Sequence, residues 1–135
     1  MQVDAALDCY RSEVFGRLVD VWSNGDPADI LTLITPDYIG HMLHLEHGQR
    51  TAADYPGWIQ SFREANPNTR FRIHDQSASG DRLWTRLHAT REDGAVSNGM
   101  NVSRFADVRI AEEWAIWSGW TIVLDSPELC LPSAE

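Results

Sequence analysis

The spacing of apolar residues changes about half-way along this chain of 135 residues, and that change limits the possible folds most strongly. In the first half, residues with apolar or aromatic side chains recur every three or four positions, as in the series Leu7, Tyr10, Val14, Leu18 and Val21. This spacing is typical of one face of a helix. From Phe71 onward, apolar and polar residues alternate, as they do in strands. Helices followed by strands predict an α+β fold.

Prolines and cap residues divide the first half into three predicted helices. The first ends at residues 23–25, Ser-Asn-Gly, because Asn and Gly tolerate the left-handed conformation at a helix C-terminus. The second begins at Asp26-Pro27 and ends at Pro36, since Asp suits the N-cap and Pro the first helical position. The third is predicted from Thr51 to Asn66, with Thr51 and Asp54 as a capping box.

The remaining segments read as strands joined by short turns. Gly80-Asp81 and Asp93-Gly94 are predicted turns of β-hairpins. The predicted strands are Asp37 to Met42, one around Phe71 and Ile73, one around Leu83 to Leu87, Ala95 to Phe105, and a long one from Ile110 to Val123. Both faces of the last strand are apolar in the middle, so we expect the helices to cover one face and a second copy of the chain the other. Trp117 is the candidate for that homodimer interface.

Together these elements predict one domain over residues 1–124 and an irregular tail over residues 125–135. Three N-terminal helices would pack on a curved, mostly antiparallel sheet, which would make a cone with a pocket inside.

Charge and missing motifs exclude several classes of function. The chain has 11 basic and 20 acidic residues, a net charge of -9, which argues against binding of nucleic acid or of an anionic membrane. No glycine-rich phosphate loop or HExxH motif is present, so we expect no cofactor and no metal. Cys9 and Cys130 form no CxxC pair, and no secretory leader or membrane span is evident. We therefore expect a cytoplasmic protein with reduced thiols.

Four segments, taken in order, carry a family resemblance. They are Asp37-Tyr38-Ile39-Gly40-His41, the join over residues 62–71, Arg104-Phe105-Ala106-Asp107, and Ile110-Ala111-Glu112-Glu113-Trp114. Together they resemble the SnoaL-like polyketide cyclases of the nuclear-transport-factor-2-like superfamily. The resemblance implies a cystatin-like cone and a pocket carboxylate that removes a proton next to a carbonyl and closes a ring.

The acidic positions of that family are replaced here. Ser118 stands four residues after Trp114, where the cyclases commonly have Asp, and Asn101 stands four residues before Phe105, where related enzymes have an acid. His41 stands near the base position of the isomerases. We therefore predict Asn101 and Ser118 as hydrogen-bond donors to the developing oxyanion.

Two residues are predicted as the catalytic base. His41 is one, because an imidazole can serve as a base near neutral pH without strong tuning. Glu112 shares strand parity with Trp114 and Ser118, and burial in a Trp-lined pocket would raise its pKa. The alternative is structural: a histidine bonded to backbone or solvent, and a glutamate paired with Arg104 or Arg86.

The hypothesis from sequence is a cofactor-free cyclase or isomerase that acts on a small, apolar or aromatic carbonyl compound in secondary metabolism. The residues predicted to contact the substrate are Tyr38, Trp58, Trp114, Ser103 and Phe105. Six tryptophans suit a flat ligand, although large rings in a core usually serve packing. The alternatives are a non-catalytic protein that binds a hydrophobic small molecule, and a dimerisation module.

One further segment has two interpretations. His41, His44 and His47 recur every third residue and could bind a metal ion. The segment lacks the tighter ligand spacing of structural zinc sites, so we favour a polar lid over the pocket mouth.

Overall fold

A computed structural model describes residues 2–122, so the tail predicted over residues 125–135 lies outside the described residues. The elements are α1 (Gln2–Ser23), a 3₁₀ helix (Pro27–Thr32), β1 (Ile34–Met42), β2 (Gln49–Thr51), α2 (Tyr55–Ala65), β3 (Arg70–Ser79), β4 (Arg82–Thr90), β5 (Ala95–Ala106), β6 (Arg109–Trp117) and β7 (Thr121–Ile122). None of the helices within this described part is long and apolar enough to cross a membrane.

The α+β prediction is confirmed: the helices pack on one face of a curved, unclosed sheet. The strand order is β2-β1-β6-β5-β4-β3, and β7 pairs with β5. Neighbouring strands are antiparallel except β1 and β6, which run parallel. That long-range parallel pair is the feature that strand-by-strand reading of the sequence did not anticipate.

Two helix boundaries differ from prediction because neighbouring residues belong to strands. The second helix ends earlier than predicted, and the third begins later. The second helix is a 3₁₀ turn that ends at Thr32, not at Pro36, since Ile34 already pairs with Ile110 of β6. Its predicted start is confirmed, with the Asp26 carboxylate accepting from the backbone N–H of Ala28 at 3.0 Å. The third helix begins at Tyr55 rather than Thr51, because Thr51 pairs with Ile39 as part of β2.

The predicted strand from Ile110 to Val123 is also interrupted. It ends at Trp117, and pairing with β5 resumes only at Thr121. Two hydrogen bonds of Ser118 stabilise this interruption. Its hydroxyl accepts from the backbone N–H of Asn98 at 3.0 Å, and its carbonyl accepts from the hydroxyl of Ser97 at 2.6 Å.

A β-bulge at Ala111 decides which side chains of β6 point inward. Arg104 pairs with Glu112, but the next residue, Phe105, pairs with Ile110, so Ala111 is an extra residue in β6. One inserted residue exchanges the two faces of a strand. Glu113 and Trp117 therefore face the helices, whereas Glu112 and Trp114 face outward.

The core fills the space between the helices and the inner face of the sheet. It is built from buried side chains of α1, α2, β1, β4, β5 and β6, among them Phe15, Leu18, Ile59, Leu87 and Ile110. Toward one end of the sheet this packing gives way to a cavity.

Candidate functional site

A cavity of about 490 Å³ lies between the helices and the inner face of the sheet. This volume falls within the range of small-molecule sites. Its lining is mostly apolar and comes from α1, α2, β3, β4 and the end of β6, while one end carries Arg50, Glu113 and Asn101.

Aromatic rings form a continuous wall of the cavity. Trp22 meets Phe62 and Phe71 edge to face, with centroids 5.7 and 5.9 Å apart. Phe71 meets Trp117 at 5.7 Å, and Phe62 meets Trp120 at 6.5 Å. Rings that pack against each other in this way present a rigid apolar surface.

The polar end of the cavity is a row of residues across four adjacent strands. Arg50 of β2 lies opposite Gly40 of β1, Gly40 lies beside Glu113 of β6, and Glu113 lies opposite Ser103 of β5. Because Gly40 has no Cβ, the side chains of Arg50 and Glu113 meet above it.

Glu113 is only 1% exposed, and hydroxyl groups surround its carboxylate. Tyr38 donates to Oε1 at 2.7 Å and Tyr55 donates to the same oxygen at 3.4 Å. Ser103 donates to Oε2 at 3.3 Å. Burial raises the pKa of both tyrosines, with the nearby Glu113 adding to the effect, so both phenols stay protonated and donate.

Arg50 supplies the positive charge beside this carboxylate. Its Nη2 lies 3.5 Å from Glu113 Oε1, and its Nε donates to the Tyr38 hydroxyl at 3.1 Å. The guanidinium lies 3.8 Å from the centroid of the Tyr55 ring. Burial by itself would lower the pKa of Arg50, but its neighbours Tyr55, Tyr38 and Glu113 raise it overall, so the guanidinium remains charged.

A second chain of hydrogen bonds reaches Glu113 from β5. The Asn101 amide donates to the Ser103 hydroxyl at 2.8 Å, and that hydroxyl donates onward to Glu113. Asn101 lines the cavity, whereas Ser103 is fully buried behind it.

The sequence of this chain matches a known domain family. The family model for the SnoaL-like domain matches residues 15–113. The chain belongs to the SnoaL-like domain family. The resemblance seen in the sequence is therefore confirmed.

Solved structures share the fold of this SnoaL-like protein. IdmH of Streptomyces antibioticus, named as a candidate polyketide cyclase, is 24% identical with a TM-score of 0.71, over 80% of this chain and 91% of that chain. A nuclear-transport-factor-2-like protein of unknown function from Mesorhizobium loti is 26% identical with a TM-score of 0.66, over 82% and 92%. A proposed ketosteroid isomerase from Kribbella flavida is 14% identical with a TM-score of 0.70, over 91% and 88%. No functionally curated protein matches the sequence.

The two bases predicted from sequence lie outside the cavity of this SnoaL-like domain. His41 Nε2 lies 2.8 Å from Glu112 Oε2 on the outer face, and Arg104 donates to Oε1 of the same carboxylate at 3.2 Å. The hydrogen bond from His41, and then that from Arg104, lowers the pKa of Glu112, whereas burial in a pocket was expected to raise it. The prediction that Glu112 and Trp114 face the cavity is wrong, because the bulge at Ala111 turns both outward.

The other predicted residues divide between the cavity and its surroundings. Asn101, Ser118 and Trp58 line the cavity. Tyr38 and Ser103 lie behind the lining and donate hydrogen bonds to the Glu113 carboxylate. Phe105 belongs to the core, contrary to prediction, because it faces α1, where Arg11 lies over its ring at 5.4 Å.

The histidine segment contributes to the lining of the cavity only in part. His44 lines the cavity, and its Nδ1 accepts from the backbone N–H of Trp117 at 3.3 Å. Burial lowers the pKa of His44. His41 points to the outer face instead, and within residues 2–122 no group of three metal-ligating side chains is assembled.

Sequence reasoning missed Glu113 and Arg50. A signal for Glu113 was present, because it is the one carboxylate in the row Ala111, Glu113, Ala115 and Trp117, which is otherwise apolar. Arg50 lies in a polar segment, and only the pairing of β2 with β1 reveals that it is buried.

Proposed function

We propose that this protein is a cofactor-free enzyme that removes a proton next to the carbonyl of a small, apolar compound. The observation that carries the proposal is a buried carboxylate, Glu113, at the polar end of an aromatic cavity. A carboxylate in such surroundings is the group that acid/base chemistry on a carbonyl compound requires. Membership of the SnoaL-like family and the resemblance to a candidate polyketide cyclase support the same class of reaction.

In this proposal Glu113 is the base, and Oε2 is the oxygen that takes the proton. Its two oxygens are unequally engaged. Oε1 faces Tyr38, Tyr55 and Arg50, whereas Oε2 accepts, from the residues that the structure describes, only the long bond from Ser103. The less engaged oxygen keeps a lone pair for the substrate. Tyr38 and the Asn101–Ser103 chain are positioning residues that fix the carboxylate.

The chemistry balances without an added reagent. The C–H bond next to the carbonyl breaks, the proton moves to Glu113 Oε2, and the electron pair moves onto the carbonyl oxygen as an enolate. In a cyclisation, the enolate carbon then attacks a second carbonyl of the same molecule. In an isomerisation of an unsaturated ketone, the enolate is conjugated with the C=C bond and takes the proton at the far carbon of that conjugated system. Glu113 returns its proton to the product, so cyclisation and isomerisation both leave the enzyme unchanged.

A non-catalytic binding protein is the second candidate. Both oxygens of Glu113 already accept hydrogen bonds, and the carboxylate is almost fully buried. In that reading the network only stabilises the polar end of a cavity that holds an apolar ligand.

The test is exchange of carbon-bound hydrogen for deuterium, followed by NMR in D₂O with 2-tetralone, a bicyclic ketone with acidic α-hydrogens. We expect the wild-type protein to accelerate exchange and Glu113→Gln to reduce the acceleration by about 10²-fold or more. Glu112→Gln is the matched control, since the neighbouring carboxylate faces away from the cavity, and it should leave the exchange rate unchanged.

The outcomes separate the two candidates. Wild-type exchange that Glu113→Gln leaves intact would contradict the role of Glu113. Binding of 2-tetralone without any accelerated exchange would favour the binding protein.

A further inference from the structure

The Trp117 ring lies directly across Gly99 on the inner face of the sheet. The two residues are opposite each other in β6 and β5. A Cβ on Gly99 would lie 2.5 Å from both Cδ2 and Cε2 of Trp117 and 2.8 Å from Cε3. Because Cδ2 and Cε2 are the carbons that the two rings of the indole share, this Cβ would stand over the middle of the indole face. The absence of a side chain at Gly99 lets the ring come this close to the strand.

The cavity lies on the other side of the Trp117 ring. Trp117 lines the cavity and is only partly buried. Phe71 meets the ring edge to face at 5.7 Å, and Phe71 is itself held by Phe62 and Trp22, with centroids 5.5 and 5.9 Å away. The ring is therefore supported by Gly99 behind it and by Phe71 at its side, and it faces the cavity in front.

Gly99 also lies in the floor of the cavity. Leu87 of β4 and Trp117 of β6 flank it in one row across the sheet. Both flanking side chains line the cavity. A side chain added at Gly99 would therefore act on the floor of the cavity directly.

We propose that Gly99 is a specificity-determining residue, because it lets Trp117 lie close to the sheet and so sets how thick a ligand the cavity admits. The inference rests on the proposed function only in that the cavity binds a ligand, and it holds for an enzyme and for a binding protein alike. Its evidence is the contact between Gly99 and Trp117, which involves neither the base nor the charged pair.

Ordinary contact distances give the size of the effect. Carbon atoms in van der Waals contact lie about 3.5–4.0 Å apart, so a methyl group on Gly99 would push the Trp117 ring away by about 1 Å or more. A ring that moves away from Gly99 moves off the sheet toward the helices, which form the opposite wall of the cavity. This narrows the space between sheet and helices, and thick ligands are affected first.

The test compares the binding of 2-tetralone and trans-2-decalone by isothermal titration calorimetry. Both ketones have the same ten-carbon bicyclic skeleton, but the saturated decalone is thicker because axial hydrogens project from both of its faces. We expect the wild-type protein to bind both ketones. Gly99→Ala should weaken binding of the decalone relative to the tetralone by about tenfold or more, the discrimination that one methylene group gives in an apolar pocket.

Two further variants test the role of the Trp117 ring. Trp117→Leu removes the flat ring, so the affinity ratio should shift in favour of the decalone. For the same reason, Gly99→Ala/Trp117→Leu should regain the decalone binding that Gly99→Ala loses. Gly57→Ala is the matched control, because it adds the same methyl group on α2, where a Cβ meets open space, and it should leave the ratio unchanged.

The proposal is overturned if the wild-type protein binds neither ketone, or if a folded Gly99→Ala or Trp117→Leu keeps the wild-type ratio. A lower melting temperature of Gly99→Ala with an unchanged ratio would mean that the contact serves stability alone. Should Gly99→Ala fail to fold, the ratio for Trp117→Leu decides the question. Failure of the two proposals is distinguishable. A shifted ratio without hydrogen exchange leaves Gly99 in its role and rejects the enzyme, whereas exchange with an unchanged ratio does the opposite.

Discussion

Gly40 is the residue on which the polar end of the cavity depends. It lies between Arg50 on β2 and Glu113 on β6, and a Cβ there would collide with the Tyr38 hydroxyl and come within 3.0 Å of Arg50 Nε. The Tyr38 ring cannot move aside, because it is buried and stacks on Tyr55 with centroids 5.2 Å apart. A single methyl group would therefore separate the charged pair.

We expect Gly40→Ala to lower the free energy of unfolding by about 1–3 kcal/mol, since overpacking and a broken buried network both destabilise. Urea denaturation followed by tryptophan fluorescence measures the change. Gly57→Ala in α2 is the matched control, because a Cβ there meets open space, and helix propensity predicts a neutral or slightly stabilising effect. Equal stability of Gly40→Ala and the wild-type protein would contradict this account of the network.

At the scale of elements, the turn between β4 and β5 forms where the Asp93-Gly94 pair in the sequence predicts it. Gly94 takes a φ of 91°, which the predicted Asp-Gly turn anticipates. Asp93 accepts from Arg91 Nε at 3.0 Å and Nη2 at 2.6 Å, and from the backbone N–H of Ala95 at 3.0 Å. These bonds, first that from Arg91 and then that from Ala95, lower the pKa of Asp93 to about 2.

The depressed pKa sets the direction of a pH effect. The ionised Asp93 stabilises the hairpin fully above its unfolded pKa of about 4, and this contribution is lost as the pH falls toward 2. We expect the difference in melting temperature between wild type and Asp93→Asn to shrink as the pH is lowered from 5 to 2. A difference that stays constant over this range would mean that the Asp93 carboxylate does not stabilise the turn.

For the whole molecule, the outer face of the sheet carries an apolar centre. Met100 lies opposite Ile116, and both are nearly half exposed, as is Trp84 on β4. Arg104 and Glu112 beside this centre form an ion pair with each other at 3.2 Å, so this pair adds no net charge that would repel a second copy. We propose that a second copy of the chain covers this face. Trp117 is not part of it, contrary to prediction, because the bulge in β6 turns its ring into the cavity.

Size-exclusion chromatography with light scattering tests the assembly. We expect a dimer for the wild-type protein and a monomer for Ile116→Glu, because a buried unpaired carboxylate at the centre of an interface is strongly unfavourable. Leu31→Glu is the control, since Leu31 is equally exposed but lies on the 3₁₀ helix, and it should remain a dimer. A wild-type monomer at micromolar concentration would overturn the proposal.

Local patterns in the sequence were sufficient for much of the fold and for little of the site. The helical spacing located α1, whose C-terminus lies at Ser23, and the glycines located the turns at Gly80 and Gly94. The candidate site was harder to predict, because its charged pair joins β2 to β6, which are distant in sequence.

The sequence alone therefore determined the fold class and the hairpin turns, because these depend on local spacing and backbone preference. Its motifs also carried the family resemblance. Tertiary structure decided which carboxylate faces the cavity. The two glutamates are adjacent, and alternation along β6 would place Glu112 inside if Ile110 were the reference. The extra residue at Ala111 reverses this, so Glu113 lies inside. Such a bulge arises from how β5 and β6 pair, so alternation along β6 alone does not fix which glutamate lies inside.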